Sequence, residues 1–355
     1  MPKTAHCLKV PKKQGEKAIA LAAKLGLIDK TLSIGREDYW LCIPLTREPE
    51  TLELAKLTQL SEMEITSGTF EEKRQPSETL TQALQNKLPP DLLTLVPQAF
   101  DIIGDIVVIE IPQQLKPHQN LLGEAILQIH PNIKTVLGKA GDINGVYRIR
   151  DYTFIAGEHR TETVHREFGC SFHVNLAKAY FSPRLSHEHE RVASLVQTGE
   201  VVADLFAGVG PFSVLIGKKC PDAKVYAVDL NPDAVELLKR NVRANHVDGG
   251  VFPVCADARE IASGKLKGVA DRVIMNLPET AIDFVDAACN AVKSEGGAVH
   301  FYGFVRRPDS IESLKQRFTE QVERNGRCVK EFLCVRSIRE TAPFESQVVL
   351  DAKIR

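Results

Sequence analysis

From residue 200 onward, short apolar runs alternate with helical ones. Residues 200–206, 224–228, 251–254, 271–276, 297–302 and 347–354 read as strands. Residues 211–219 and 232–245 read as helices, with further helices near 280–292 and 309–325. Strands joined by helices at this spacing run parallel through right-handed crossovers, so this part of the chain is expected to form a doubly wound α/β sheet.

Two smaller α+β regions precede it. Residues 6–10 and 39–45 predict strands, and 14–25 and 49–60 predict helices, an order that allows a sheet covered by helices within residues 1–66. Residues 67–90, polar and ending in Pro89-Pro90, predict a linker with at most one short helix. In the second region, 91–178, residues 100–112 predict one strand and 120–130 a helix, while 146–155 and 163–174 alternate like half-exposed strands. The third region is then 179–355.

Charge narrows the partners. The 45 Lys/Arg against 46 Asp/Glu exclude a wholly basic nucleic-acid coat. Local excesses remain, with seven lysines against two acids in residues 1–30 and nine Lys/Arg against six acids in residues 302–340. Such patches can follow a phosphate backbone, though for either patch alone a solvated helix face is the better explanation. No apolar run reaches the ~18 residues of a membrane span, and residues 1–7 show no apolar signal core, so a cytoplasmic protein is expected. The eight cysteines form no Cys-x-x-Cys, and neither a zinc site nor a disulfide framework is expected.

In an open parallel sheet, ligands bind beyond the carboxyl ends of the strands. The first strand ends in DLFAGVGPFS, residues 204–213. Gly208 and Gly210 let backbone approach a ligand, and Pro211 suits a first helical turn. A dinucleotide fingerprint would want Gly or Ala where Ser213 stands. Asp229 ends the second strand about 20 residues after the glycines, where an acid can accept both ribose hydroxyl hydrogens. Asp257 follows the third strand, suited to an adenine amino group, and Asn276 ends the fourth. Each of these acids alone is as well explained as a turn or N-cap residue. Four in order make one constellation. It suits S-adenosylmethionine, whose ammonium could meet Asp204 and whose carboxylate could meet backbone N–H groups.

The blocks DLFAGVGPFS, AVDLNPDAVELLKRN and DRVIMNLPETA, preceded by AYFSPRLSHEHERV, resemble the archaeal and eukaryotic tRNA (guanine-N1)-methyltransferases acting on guanosine 37. The resemblance covers residues 100–355 well and the N-terminal unit more loosely. It implies a Rossmann-like methyltransferase sheet behind two smaller α+β domains, and a monomer of archaeal type. S-adenosylmethionine is its cofactor; its partner is tRNA, contacted at the anticodon loop and outer corner, with no membrane, DNA or metal.

Guanine N1 carries a proton at neutral pH, so a base must remove it, and the splayed-out base must be read by hydrogen bonds. The resemblance gives the base role to Glu188; spacing alone leaves Glu190, or a simple helix-dipole acid, open. It places Arg148 near guanine O6, with Arg150 the rival on what reads as the same strand face. Asn276 would accept from the exocyclic amine on a turn stiffened by Pro278, and Tyr180 and Arg184 would hold the nucleoside or its phosphate. Phe206, Leu230, Ala258 and His189 join the expected cofactor shell, His189 standing where the family commonly has arginine. Leu277 and Glu279 depart from the Asn/Asp-Pro-Pro-aromatic loop of amino-group methyltransferases. The rivals are the related aminocarboxypropyl transferases, methylation of a wyosine precursor, and a non-catalytic RNA-binding protein.

Overall fold

The computed structural model describes residues 3–60, 62–71, 79–141, 145 and 147–355. The chain divides into two units, Met1–Gln82 and Ala83–Arg355.

In the first unit, strands β1 (Lys3–Pro11), β2 (Gly35–Arg36), β3 (Trp40–Leu45) and β4 (Glu64–Phe70) form an antiparallel sheet in the order β2-β3-β1-β4. Helices α1 (Gly15–Lys24) and α2 (Thr51–Leu57) contribute Ala18, Ala22 and Leu57 to a core that holds Leu8, Val10, Ile43 and Leu45. Glu50 and Glu53 close a capping box that starts α2, and Arg47 clamps Glu53 with bonds of 2.7 and 2.8 Å. β4 corrects the expected linker. It runs through residues 67–70 and pairs with β1 from Lys3↔Phe70 to Lys9↔Glu64. Its polar Ser67 and Thr69 read as linker because an edge strand is solvated on one side, and only Phe70 is buried.

The second unit contains the short helix α4 (Pro90–Leu93), which follows α3 (Leu80–Leu84) at the junction between the units, and then strands β5 (Asp101–Ile103), β6 (Ile106–Ile109), β7 (Thr135–Lys139) and β8 (Tyr152–Gly157). These form a sheet in chain order, with helix α5 (Gln119–Ile129) linking the parallel pair β6-β7. The single strand expected at 100–112 is therefore a hairpin. It turns at Gly104, φ +58°, where an added Cβ would lie 2.2 Å from Thr163 Oγ1. Residues 163–174 likewise split into β9 (Glu162–Glu167) and β10 (Cys170–Asn175), turning at Phe168 and Gly169 with positive φ.

The large sheet holds β11 (Val201–Asp204), β12 (Lys224–Asp229), β13 (Val251–Cys255), β14 (Arg272–Met275), β15 (Gly297–Arg306), β16 (Val329–Ala342) and β17 (Glu345–Ile354). Their order is β13-β12-β11-β14-β15-β17-β16. The first five run parallel, as alternation requires, while β17 is antiparallel to both β15 and β16. The order reverses at β11, so its carboxyl end is the switch point where ligands gather.

Helices α6 (Ser186–Leu195), α7 (Pro211–Lys219), α8 (Pro232–Ala244), α9 (Ala258–Ser263), α10 (Val285–Ala291) and α11 (Ile311–Arg324) connect or flank these strands. The β9-β10 hairpin is fastened to α8 by two buried amides. Asn241 Oδ1 accepts from His173 N at 2.6 Å, and Asn245 both accepts from Ser171 N at 2.8 Å and donates to Ser171 O at 2.7 Å. These side chains satisfy strand backbone groups that no neighbouring strand reaches.

Candidate active site

A cavity opens at the carboxyl ends of β11, β12, β13 and β14. Of the residues expected there, Phe206, Gly208, Asp229, Leu230, Asp257, Ala258, Asn276, Pro278, Tyr180, His189 and Arg148 line it. Glu188, Arg184, Asp204 and Gly210 do not.

The turn after β11 owes its shape to two glycines. Gly208 has φ +56° and donates its N–H to Asp229 Oδ2 at 2.7 Å. Gly210, φ +92°, caps α7, and a Cβ there would meet Leu238 Cδ1 at 2.2 Å. Its role is close packing against α8, not approach to a ligand, which corrects the sequence reading. Asp229 Oδ1 accepts from Asn231 N at 2.8 Å, so backbone amides orient the carboxylate while lone pairs remain for a ribose. Burial raises its pKa against the pull of these amides. Asp257 Oδ1 caps α9 through Arg259 N at 2.7 Å, and the same side chain lines the cavity. Phe206 stacks edge-on against Phe284, centroids 5.2 Å apart, and Arg259 covers Phe284 at 4.2 Å, giving an apolar wall with a charged back.

Asp204 lies beneath this turn, fully buried, and does not line the cavity where its carboxylate was expected. Its Oδ2 accepts from Ser213 Oγ at 2.7 Å, and its Oδ1 is buried without a partner. Burial, aided by Asp229, lifts its pKa from 3.8 to about 7. Folding therefore tightens proton binding at this acid, and its contribution to stability is greatest below 3.8 and is lost as pH rises to about 7. Asp204→Asn is expected to raise Tm by an amount that grows from about pH 4 to about pH 7 and then levels off. Melting curves across that range check this; a pH-independent difference would refute the buried-acid account.

At the other end of the cavity Arg148 forms a two-bond pair with Glu279, 2.8 and 3.0 Å, and its guanidinium lies 6.0 Å from the Tyr180 ring. Its placement comes from a turn with φ +55°, not from the strand expected over 146–155, which begins only at Tyr152; Val146 lies outside the described residues. Arg150 shares no strand face with it and donates to Gly141 O at 2.7 Å. Asn276 Oδ1 is buried in the lining with no hydrogen-bond partner. A buried acceptor left open costs about 1–3 kcal/mol, so this atom is ready for a ligand donor.

Arg184 pairs with Asp101 on β5 at 2.5 Å, outside the lining. Glu188 also departs from expectation. His189 on α6 and Leu185 just before that helix line the cavity, but the Glu188 carboxylate sits behind them, 1% exposed. It accepts from Arg191 at 3.0 to 3.3 Å, from Tyr302 Oη at 3.1 Å and from Arg336. Arg191 also pairs with Asp351 at 2.5 Å, and Asp351 holds His300 Nδ1 at 2.6 Å. His189 Nδ1 bonds to Glu167 at 2.7 Å, and its ring meets Phe212 edge-on. Burial alone would raise Glu167, but the bonds from His165 and His189 hold it at about 2.

Sequence reasoning missed Glu279 as the Arg148 partner, and Phe304, Arg339 and Gln347, which line the cavity from β15, β16 and β17. Arg339 and Gln347 are joined by a bond of 2.9 Å. The Leu277-Pro278-Glu279 loop was a usable signal for Glu279; β16 gave none, because its register shifts break the alternation.

Comparison with known proteins identifies the family. Residues 163–330 match the TRM5/TYW2 methyltransferase domain, 80–161 the TYW2 N-terminal domain and 7–53 the tRNA methyltransferase 5 N-terminal domain. The chain is 40% identical to tRNA (guanine(37)-N(1))-methyltransferase Trm5b of Pyrococcus abyssi over 98% of each chain. The crystal structure of that Trm5b gives a TM-score of 0.70 over 99% of each chain. The complex of aTrm5 with tRNALeu matches at TM-score 0.68 and 32% identity, over 98% of this chain and 99% of that one. Trm5 of Methanocaldococcus jannaschii in complex with adenosine matches at TM-score 0.65 and 31% identity over 98% and 99%. The site at the strand tips and this full-length kinship place the chain in the TRM5/TYW2 family of methyltransferases, among its Trm5 members.

Proposed function

We propose that this protein transfers the methyl group of S-adenosylmethionine to N1 of guanosine 37 in tRNA. One observation carries the reading: a single cavity joins Asp229 and Asp257, suited to the ribose and adenine of the cofactor, to Arg148 and Asn276, suited to a guanine edge. Asp229 would accept from the ribose hydroxyls, Asp257 from the adenine amine, and the Phe206–Phe284 wall would pack the adenosine. The cofactor supplies the activated methyl; the chain orients the purine. Arg148 would donate to O6 as negative charge gathers there, and the open Asn276 Oδ1 would accept from the exocyclic amine.

Glu188 is the proposed base. Its carboxylate lies behind His189 and Leu185, so it must both give up a partner and turn into the cavity before it can take the N1 proton, and Arg336, whose side chain is 44% exposed, is its most exposed partner. Arg184, 44% exposed beside Asp101, would contact RNA phosphate outside the cavity. The anticodon loop is the proposed docking segment, with the outer corner read by the first unit, and the acting species is a monomer.

Transcripts carrying guanosine or inosine at position 37 test the purine-reading half. Methylation of guanosine should exceed that of inosine by about 5- to 150-fold, since inosine leaves Asn276 Oδ1 unpaired at about 1–3 kcal/mol. Equal rates would remove Asn276 from recognition. Product mass decides the transferred group, and an aminocarboxypropyl increment would replace methyl transfer as the activity.

A further inference from the structure

Glu167 is buried as an anion. Its side chain is 4% exposed, and no lysine or arginine pairs with it among the described residues. Its partners are two imidazoles. His165 Nε2 lies 3.8 Å from Oε2, and His189 Nδ1 lies 2.7 Å from Oε1. A carboxylate this deep stays ionised only beside a cation.

His165 is not that cation. Its Nδ1 accepts from Gly104 N at 3.3 Å, so the proton of the ring is on Nε2 and the ring is neutral. That leaves His189. With Nδ1–H donated to Glu167 and the ring charged, Nε2 also carries a proton, and it has no acceptor among the described residues. The residue is 2% exposed and lines the cavity, so a ligand is what can meet this donor. The nearby charges are committed elsewhere. Glu188 on the same helix keeps Arg191 and Arg336, backbone amides hold Asp229, and Ser213 holds Asp204. Burial raises the pKa of Tyr302, beyond Phe212, and of Cys170, paired with Glu167 across the β9-β10 hairpin, and both stay neutral.

The order of the strand tips decides which part of the cofactor belongs here. Asp257 after β13 suits the adenine, Asp229 at the end of β12 suits the ribose, and β11 is next in the sheet. The amino-acid end then falls over β11 and the start of α7. His189 packs edge-on against Phe212 in the first turn of α7, centroids 4.6 Å apart. Asp204, the acid expected to meet that end, is sealed beneath the turn.

We propose that Glu167 is a positioning residue for the cofactor, holding His189 as an imidazolium whose Nε2–H takes the carboxylate of S-adenosylmethionine. The proposal rests on the cofactor half of the reading above and not on its guanine half. A neutral His189 would instead offer Nε2 as an acceptor, suited to the ammonium of the cofactor.

Binding of S-adenosylmethionine, its decarboxylated analogue and 5′-methylthioadenosine to the full chain, measured by calorimetry, tests it. The parent should bind S-adenosylmethionine about 10- to 100-fold more tightly than the decarboxylated analogue, the worth of a hydrogen bond to a charged group. His189→Gln and Glu167→Gln should bind those two alike. Both variants should keep parent affinity for 5′-methylthioadenosine, which lacks the amino-acid end and so reports that the site is folded. In 15N spectra of the histidine-labelled parent near neutral pH, both His189 nitrogens should be protonated, and Glu167→Gln should lose that signature. A parent indifferent to the carboxylate, a parent spectrum with Nε2 unprotonated, or a His189→Gln that still discriminates would each overturn the proposal. A parent that binds the cofactor as expected but leaves guanosine 37 unmethylated would instead overturn the proposed reaction.

Discussion

Glu188→Gln is expected to lower single-turnover methylation of a guanosine-37 transcript by about 10²–10⁴-fold, the range lost with a positioned general base. The amide keeps the shape of the side chain, and its oxygen can still accept from Tyr302 and one guanidinium. It cannot take the N1 proton. Removing the anion also leaves Arg191 and Arg336 with one counter-charge fewer, so Tm should fall, by about 1–3 kcal/mol in stability. The two losses separate because the cofactor residues at the strand tips are untouched. At a hundredfold excess over Kd, S-adenosylmethionine should stabilise variant and parent alike by about 2.7 kcal/mol. A folded, cofactor-saturated variant with parent turnover would leave Glu188 as only the counter-ion of two arginines.

Why some of this was legible beforehand, and some not, follows from where each signal lives. Asp229, Asp257 and Asn276 sit where apolar strands stop, so both their chemistry and their position can be read along the chain. Asp204 ends a strand in the same way, but whether it points up to the ligand or down to Ser213 depends on packing of α7. Gly210 was read as making room for a ligand, and the room is taken by Leu238, 28 residues away. Arg148 reaches the cavity for a reason that alternation misstates, since a left-handed turn aims it at Glu279 across 131 residues. The antiparallel β16-β17 pair was half visible. Gln347 to Ile354 is mostly apolar and buried, whereas β16 mixes Lys330, Glu331, Arg336 and Arg339 with four register shifts. Missing β16 also hid Arg336, and with it the way Glu188 is held.

Asp351→Ala should produce the largest loss of stability. Asp351 is a buried carboxylate at the centre of a chain of charges running from Arg336 through Glu188, Arg191 and His300 to Arg272 and Glu200. Arg272 Nη1 lies 2.7 Å from His300 Nε2 and can only donate, so the imidazole proton sits on Nδ1 and points at Asp351. Burial lowers the His300 pKa and keeps this ring neutral. Removing the carboxylate leaves a buried N–H without an acceptor and Arg191 facing Glu188 alone. Breaking a buried pair from one side costs about 3–5 kcal/mol, which in a unit of this size lowers Tm by roughly 6–20 °C. The pH dependence has a definite sign. Burial raises the Asp351 pKa, but the His300 hydrogen bond and the Arg191 charge outweigh it and hold the group below 3.8. Its stabilisation is thus complete above that value and lost as pH falls through the folded one. The difference in Tm between parent and Asp351→Ala should be level near neutrality and shrink below about pH 4, opposite to the trend for Asp204→Asn. A variant melting within about 2 °C of the parent would mean that Arg191 and His300 are satisfied elsewhere, and that the buried charge chain does not hold Glu188 in place.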